Sequence, residues 1–495
     1  MILETKLGQV HTQIVGRSDE GKPVYEIHSV PYAHAGRFER PVPVECYAEG
    51  KPINREDTVC FPQHGYPLWA NRFMKHHMMR PEFLPLTDVQ TEDAFVVNIW
   101  TDDLEGKKPV AVFIHGGGEG SGTVPVYTGA HLAEHGVVAV TITYRIGCFG
   151  YSPVFDGEKM TANLAYFDQQ AALQWVNKNI QYFGGDAENI ALMGHCGGGL
   201  ACLYHLLNPV SNKFFHKLII FAGNLPHMTP KESARETFLQ AMKKQKCETK
   251  TDLLRISAKT LVARKKPLPM GDVIDGDFFT DDPEALLDKG AFPDIPILIG
   301  SNADEFSMIE LPMYYKFMNI ATKEKDLDKV LQEKYGNYAQ ALKDAFASES
   351  ESPVDLQTKI MELLVFHNSA YQLMRRFSGK CAVYGYRLHY VPTLYDGLRG
   401  SYHGAELALF FDNMDKMGIP IPDKNKEQTR VLQQDWLCFI KTGEIPGRER
   451  FDQLGNITDY DDQITSVPFP KKDLIEEVNE AGLCRRAREG YIEGM

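Results

Sequence analysis

Two glycine-rich stretches hold residue types that can carry out acyl chemistry. The first is Gly194-His195-Cys196-Gly197-Gly198, entered from the apolar run 190–193. A buried strand running into G-x-C-x-G, with a helix expected through Asn208, has the form of a nucleophile elbow with Cys at its apex. Such a turn is tight, so small residues must flank the nucleophile. The thiol would stand at a helix N-terminus, where aligned peptide dipoles favour negative charge. The second stretch is His115-Gly116-Gly117-Gly118, entered from the apolar run 110–114. Acyl transfer needs backbone N–H donors aimed at a developing oxyanion, and glycines let the backbone approach closely. A dinucleotide loop fails on spacing, because Gly118 and Gly120 are followed by Thr123. The chain contains no Walker A sequence.

Those stretches need a scaffold, and the apolar pattern supplies one. Short runs at 110–114, 137–143, 190–193, 218–221 and 295–299 read as buried strands. Residues 162–180 repeat their apolar positions at helical spacing. Strands alternating with helices predict an α/β fold, a large and mostly parallel central sheet with helices on both faces. The charged stretches 231–266 and 322–374 are expected to be helical excursions over that sheet.

Composition removes several function classes. The chain has 495 residues, 43% of them hydrophobic and 24% charged, which is the balance of a globular protein. Length alone suggests about three domains, but no linker-like stretch divides it. Lys plus Arg number 53 against 66 Asp plus Glu, a net charge of -13. That balance argues against nucleic acid as a partner, since phosphate binding needs clustered cations. No apolar run is long enough to span a membrane, and no signal peptide is read at the N-terminus. The nine cysteines are odd in number, scattered and without C-x-x-C, which fits a reducing compartment. The expected location is cytoplasmic.

Beyond these features, ordered motifs run almost end to end. They include Val30-Pro31-Tyr32-Ala33 with Gly36-Arg37-Phe38, Thr91-Glu92-Asp93 through Asn98-Ile99-Trp100, and Tyr144-Arg145-Ile146-Gly147 with Gly150-Tyr151. Asn163-Leu164 with Asp168-Gln169 and Trp175-Val176 follows, and then Phe183-Gly184-Gly185-Asp186 leads to the elbow. In this register the chain resembles the type-B carboxylesterase/cholinesterase-like family of α/β-hydrolases. The resemblance implies one α/β-hydrolase domain over residues 1–495. It implies that Glu305, in Gly300-Ser301-Asn302-Ala303-Asp304-Glu305, is the acid. It also implies that His403, in Ser401-Tyr402-His403-Gly404-Ala405-Glu406, is the base. The order Cys196, Glu305, His403 is the nucleophile–acid–base order of that fold. Gly117, Gly118 and Gly197 would donate the oxyanion N–H groups. Neither a metal nor a cofactor is implied; the partner would be a small-molecule ester or other acyl donor, and the oligomeric state stays open.

The departures from the family matter as much. Cys196 replaces the usual Ser, and a thiol is both more acidic and intrinsically more nucleophilic. His195 stands where many members carry Glu, and Glu119 where an apolar residue is commoner. Cys60 matches half of a family disulfide whose other position is Ala94, and Cys247 matches one whose other position is Leu253. One sequon, Asn456-Ile457-Thr458, runs against the cytoplasmic expectation. His131-Leu132-Ala133-Glu134-His135 fits an inverted zinc-protease pattern, but Gly136 and a strand follow at once, so a helix C-terminus is expected there. His76-His77 carries no assigned role. Three functions stay open: a carboxylic-ester hydrolase with a Cys196–His403–Glu305 triad, an acyltransferase using a Cys196 thioester, and an inactive ligand-binding protein of the same fold.

Overall fold

A computed structural model describes residues 1–63, 89–118, 122, 127–263, 267–307, 315, 318–390, 400–413, 421, 423–452 and 454–494. Glu119 and His76-His77 lie outside these residues.

Among the described residues, eleven strands form the main sheet. In chain order they are β1 (Gln13–Arg17), β2 (Pro23–Pro31), β3 (Val96–Thr101), β4 (Lys108–Ile114), β5 (Val138–Ile142), β6 (Gly185–His195), β7 (Lys217–Phe221), β8 (Ile297–Asn302), β9 (Val383–Leu388), β10 (Asn456–Tyr460) and β11 (Ile464–Pro468). Across the sheet the order is β11-β10-β9-β8-β7-β6-β4-β5-β3-β2-β1. The strands from β10 to β5 run parallel, and antiparallel strands finish both edges. All five strands read from the sequence are present. β5, β7 and β8 are buried at every position, as strands covered on both faces must be.

The expected helix over 162–180 is α1 (Leu164–Asn179). Its first turns carry Asp168, fully buried, whose carboxylate takes Arg145 Nε at 2.7 Å and Nη2 at 2.6 Å. Arg145 Nη1 continues to Glu39 O at 2.6 Å. This network ties α1 to the segment after β5. The expected excursions are also helical, running as Lys231–Gln245, Lys250–Leu254 and Ala258–Leu261, and later from Glu324 through Ser378 in several helices.

The helix α2 (Gly197–Leu207) follows the elbow and stops at Asn208, as expected. It begins hard against the sheet: a Cβ on Gly198 would lie 2.1 Å from the Ile114 carbonyl oxygen. Only glycine lets α2 start there. Where a Cys247 bridge would sit in the family, Cys247 and Leu253 pack in one apolar cluster. The His131 pattern is a short helix, Ala130–Glu134, capped by His135 and closed by Gly136 at φ +75°. Among the described residues no group of three or more His, Cys, Asp or Glu side chains could hold a metal. None of their helices is long and apolar enough to cross a membrane.

Candidate active site

Sheet register brings three loops to one edge. Ile114 of β4 pairs with Gly194 of β6, His195 of β6 with Phe221 of β7, and Phe221 with Gly300 of β8. The HGGG loop, the Cys196 turn and the acid loop therefore leave the same carboxyl-terminal edge. That is where open parallel sheets bind ligands.

Cys196 is the residue after β6. Its backbone sits at φ +56° and ψ -120°, a region non-glycine residues avoid. Its N–H donates to Phe221 O at 2.9 Å, and its carbonyl accepts the Leu200 N–H at 3.0 Å. The turn is thus bonded to β7 on one side and to α2 on the other. The HGGG loop lies against it: a Cβ on Gly116 would be 3.2 Å from Cys196 Cβ, and one on Gly197 would be 3.2 Å from Gly118 O. Gly117 and Gly118 stand at φ +112° and +61°. Tyr144 anchors the start of this loop. Its hydroxyl donates to His115 O at 2.8 Å, and its ring stacks on the His115 ring at 4.3 Å.

Glu305 and His403, 98 residues apart, meet directly. His403 Nδ1 is 2.5 Å from Glu305 Oε2, and Glu305 Oε1 accepts the Asn302 N–H at 2.6 Å. Both oxygens of this buried carboxylate are engaged. The two loops are also pinned through their backbones: Ser401 N–H donates to Asp304 Oδ2 at 2.7 Å, and Asp304 N–H to Ser401 O at 3.1 Å. The Phe366 ring packs on His403 with centroids 4.8 Å apart. Phe366 comes from a π-helical segment, Leu363–His367, whose His367 Nε2 lies 3.2 Å from Asn302 O. Such π-turns recur at functional sites.

The Cys196 sulfur and His403 interact by charge and by a side-chain hydrogen bond. By full hydrogen-bond geometry, however, His403 Nε2 has no partner among the described residues. Burial pushes the thiol up, but the charge of His403, its hydrogen bond and the Gly197 N–H together bring it below the usual thiol range. Burial opposes a charge on His403 as well. The Cys196 and Glu305 charges nevertheless hold its imidazole well above the usual histidine range. A thiolate–imidazolium couple backed by a carboxylate is what these tendencies favour.

Three further groups escaped the sequence reading. Asn302 Nδ2 donates to Tyr402 O at 2.9 Å and also to Glu406. Burial, then the charge of Glu305, lifts the Glu406 carboxyl to about 7. Glu362, also buried, accepts the Phe306 N–H at 3.2 Å, and burial holds it well above the carboxylate range. Asn302 and Glu406 lie inside the acid and base motifs, so their place was visible although their contacts were not. Glu362 has no signal in the sequence.

With this geometry in place, comparison with known proteins is specific. The sequence model of the Carboxylesterase family matches residues 1–481. A para-nitrobenzyl esterase of Bacillus subtilis (strain 168) is 28% identical, over 89% of this chain and 90% of its own. A phenmedipham hydrolase of Pseudarthrobacter oxydans is 29% identical, over 71% of this chain and 74% of its own. A solved structure of PNB esterase superposes with a TM-score of 0.74 at 26% identity, covering 96% of this chain and 99% of that one.

Proposed function

The chain belongs to the carboxylesterase family, and we propose that it hydrolyses small carboxylic esters through a thioester on Cys196. In this reading the Cys196 sulfur attacks the ester carbonyl carbon. The carbonyl oxygen becomes an oxyanion held by the N–H groups of Gly117, Gly118 and Gly197. The tetrahedral species collapses, the carbon–alkoxy bond breaks, and His403 Nε2 gives its proton to the departing alcohol. His403 then takes a proton from water as that water attacks the thioester carbon. The acid leaves, and the sulfur returns to its thiolate. Glu305 fixes the His403 tautomer and stabilises the imidazolium in both halves.

The observation that carries this reading is the buried Glu305–His403 contact of 2.5 Å beside a cysteine on a strained turn. The relatives are named as an esterase and a hydrolase, and the general class follows from them. An inactive scaffold has no use for that alignment. Acyl transfer is the second reading, favoured by one property of the nucleophile: a thioester is readily cleaved by alcohols and amines as well as by water.

Turnover of p-nitrophenyl acetate separates the three. Hydrolysis predicts free acetate formed in step with p-nitrophenolate, without an added acceptor. Transfer predicts a single stoichiometric release that turns over only when an alcohol or amine is supplied. No release above the buffer rate across acetyl, butyryl and benzoyl esters would overturn both enzymatic readings.

A further inference from the structure

The position before the nucleophile holds a histidine, and its surroundings are specific. His195 is buried, and its ring lies on His403 with centroids 4.4 Å apart. It is wedged between the two functional loops. A Cβ on Gly116 would be 3.1 Å from His195 Nδ1, and one on Gly404 would be 3.5 Å from His195 Cε1. Its Nε2 faces Glu406 Oε1 at 3.6 Å. That is a few tenths of an ångström beyond a hydrogen bond, and among the described residues neither atom has another hydrogen-bond partner. The other oxygen of Glu406 is taken by Asn302 Nδ2. Two orphaned, buried polar atoms facing each other cost free energy unless they bond.

We propose that His195 and Glu406 form one hydrogen-bonded pair without net charge, which positions the His403 ring and keeps a second carboxylate charge away from the Cys196 sulfur. The Glu406 carboxyl, protonated, donates to His195 Nε2, and His195 keeps its proton on Nδ1. The titration tendencies of both groups agree with this. Burial lifts Glu406 to about 7, and burial with the His403 charge holds His195 well below the usual histidine range. The titratable groups that act on the pair are His403, on both members, and Glu305 on Glu406, with the Tyr127 and Tyr386 phenols beside Glu406.

A serine hydroxyl is neutral at rest, so a carboxylate beside it meets no like charge. A resting thiolate would meet one. A glutamate at 195 would face Glu406 and stand one residue from the nucleophile, and a nearby like charge disfavours ionisation. The inference rests on Cys196 as the nucleophile.

The test is the pH profile of Cys196 alkylation by iodoacetamide, read by peptide mass so that the other thiols do not interfere. It is measured on the full chain and its variants His195→Glu, His195→Gln and Glu406→Gln. His195→Glu is expected to raise the midpoint by about one pH unit or more. His195→Gln and Glu406→Gln are expected to leave it within about 0.3 unit of wild type, because each replaces a neutral group with a neutral group. If His195→Glu does not fold, the two glutamine variants still decide. A midpoint lowered by about a unit in Glu406→Gln would mean that Glu406 is charged at rest, and would overturn the proposal. So would an unshifted His195→Glu, or a His195→Gln shifted upward by about as much as the Glu variant is expected to be. Acylation of wild-type Cys196 by an ester tests the function separately, so failure of one is distinguishable from failure of the other.

Discussion

Cys196→Ala is expected to lower ester turnover by about 10⁴-fold or more, and His403→Ala by nearly as much. The two side chains act as one unit. Without the sulfur no thioester forms; without the imidazole the sulfur loses both the charge that holds it ionised and the proton that the leaving alcohol needs. Their losses are therefore not additive, and the double variant is expected to be no worse than the poorer single one by more than a few-fold. A residual rate above buffer remains, because oxyanion donors and substrate binding survive. The loss should appear in kcat with KM little changed, since neither side chain holds the ester in its ground state. The pH dependence carries a sign as well. Activity falls as pH drops through the lowered thiol value, because the nucleophile is protonated. It falls again as pH rises through the raised His403 value, because the general acid is lost. A His403→Ala enzyme within tenfold of wild type would remove His403 from the mechanism.

The second large effect is on stability. Asp168→Ala is expected to cost about 3–5 kcal/mol, because it strands the Arg145 guanidinium in the interior. The Arg145 and Asp168 side chains are 4% and 0% exposed, so water cannot replace the lost partner. The backbone N–H of Arg145 also loses its acceptor, Asp168 Oδ2 at 3.0 Å. Replacing both residues with apolar side chains of similar volume should cost clearly less, since no charge is then left unpaired. Urea unfolding of the two variants measures this directly. If Asp168→Ala loses under about 1 kcal/mol, the network is not what holds α1 to the segment after β5. The consequence reaches the site. Tyr144, next to Arg145, anchors His115 by a hydrogen bond and a ring stack. Loosening that segment should therefore weaken turnover in any surviving folded fraction.

What the sequence made legible follows from locality. The elbow and the HGGG loop are contiguous in sequence, and so are the runs that enter them, because fully buried strands are uniformly apolar. The sequence marked β6 only at 190–193, whereas the strand begins at Gly185. Its register shifts between the Gly185 and Ile190 pairs, and the polar Asp186 and Glu188 in that interval hide the strand from any hydrophobicity argument. β2 escaped for a similar reason, with Glu26 and His28 inside it. The site divides in the same way. Cys196 could be singled out from local pattern, but Glu305 and His403 needed the register of a known family. Their meeting depends on two loops far apart in the chain. Phe366 and Glu362 could not be found at all, since a π-turn and a helix from a charged excursion bring them in. His195 was noticed as a departure, yet its pairing with Glu406 is a matter of three dimensions.

Catalysis by Cys196 requires that an acyl group reach that one sulfur. Incubating the full chain with an activated ester, quenching in acid and measuring intact and peptide mass reads this without a rate. The expected result is one acyl increment on the peptide bearing Cys196, removed by neutral hydroxylamine as a thioester must be, and absent in Cys196→Ala. Increments scattered over other cysteines or lysines, unchanged in Cys196→Ala, or no increment at all while turnover proceeds, would contradict it.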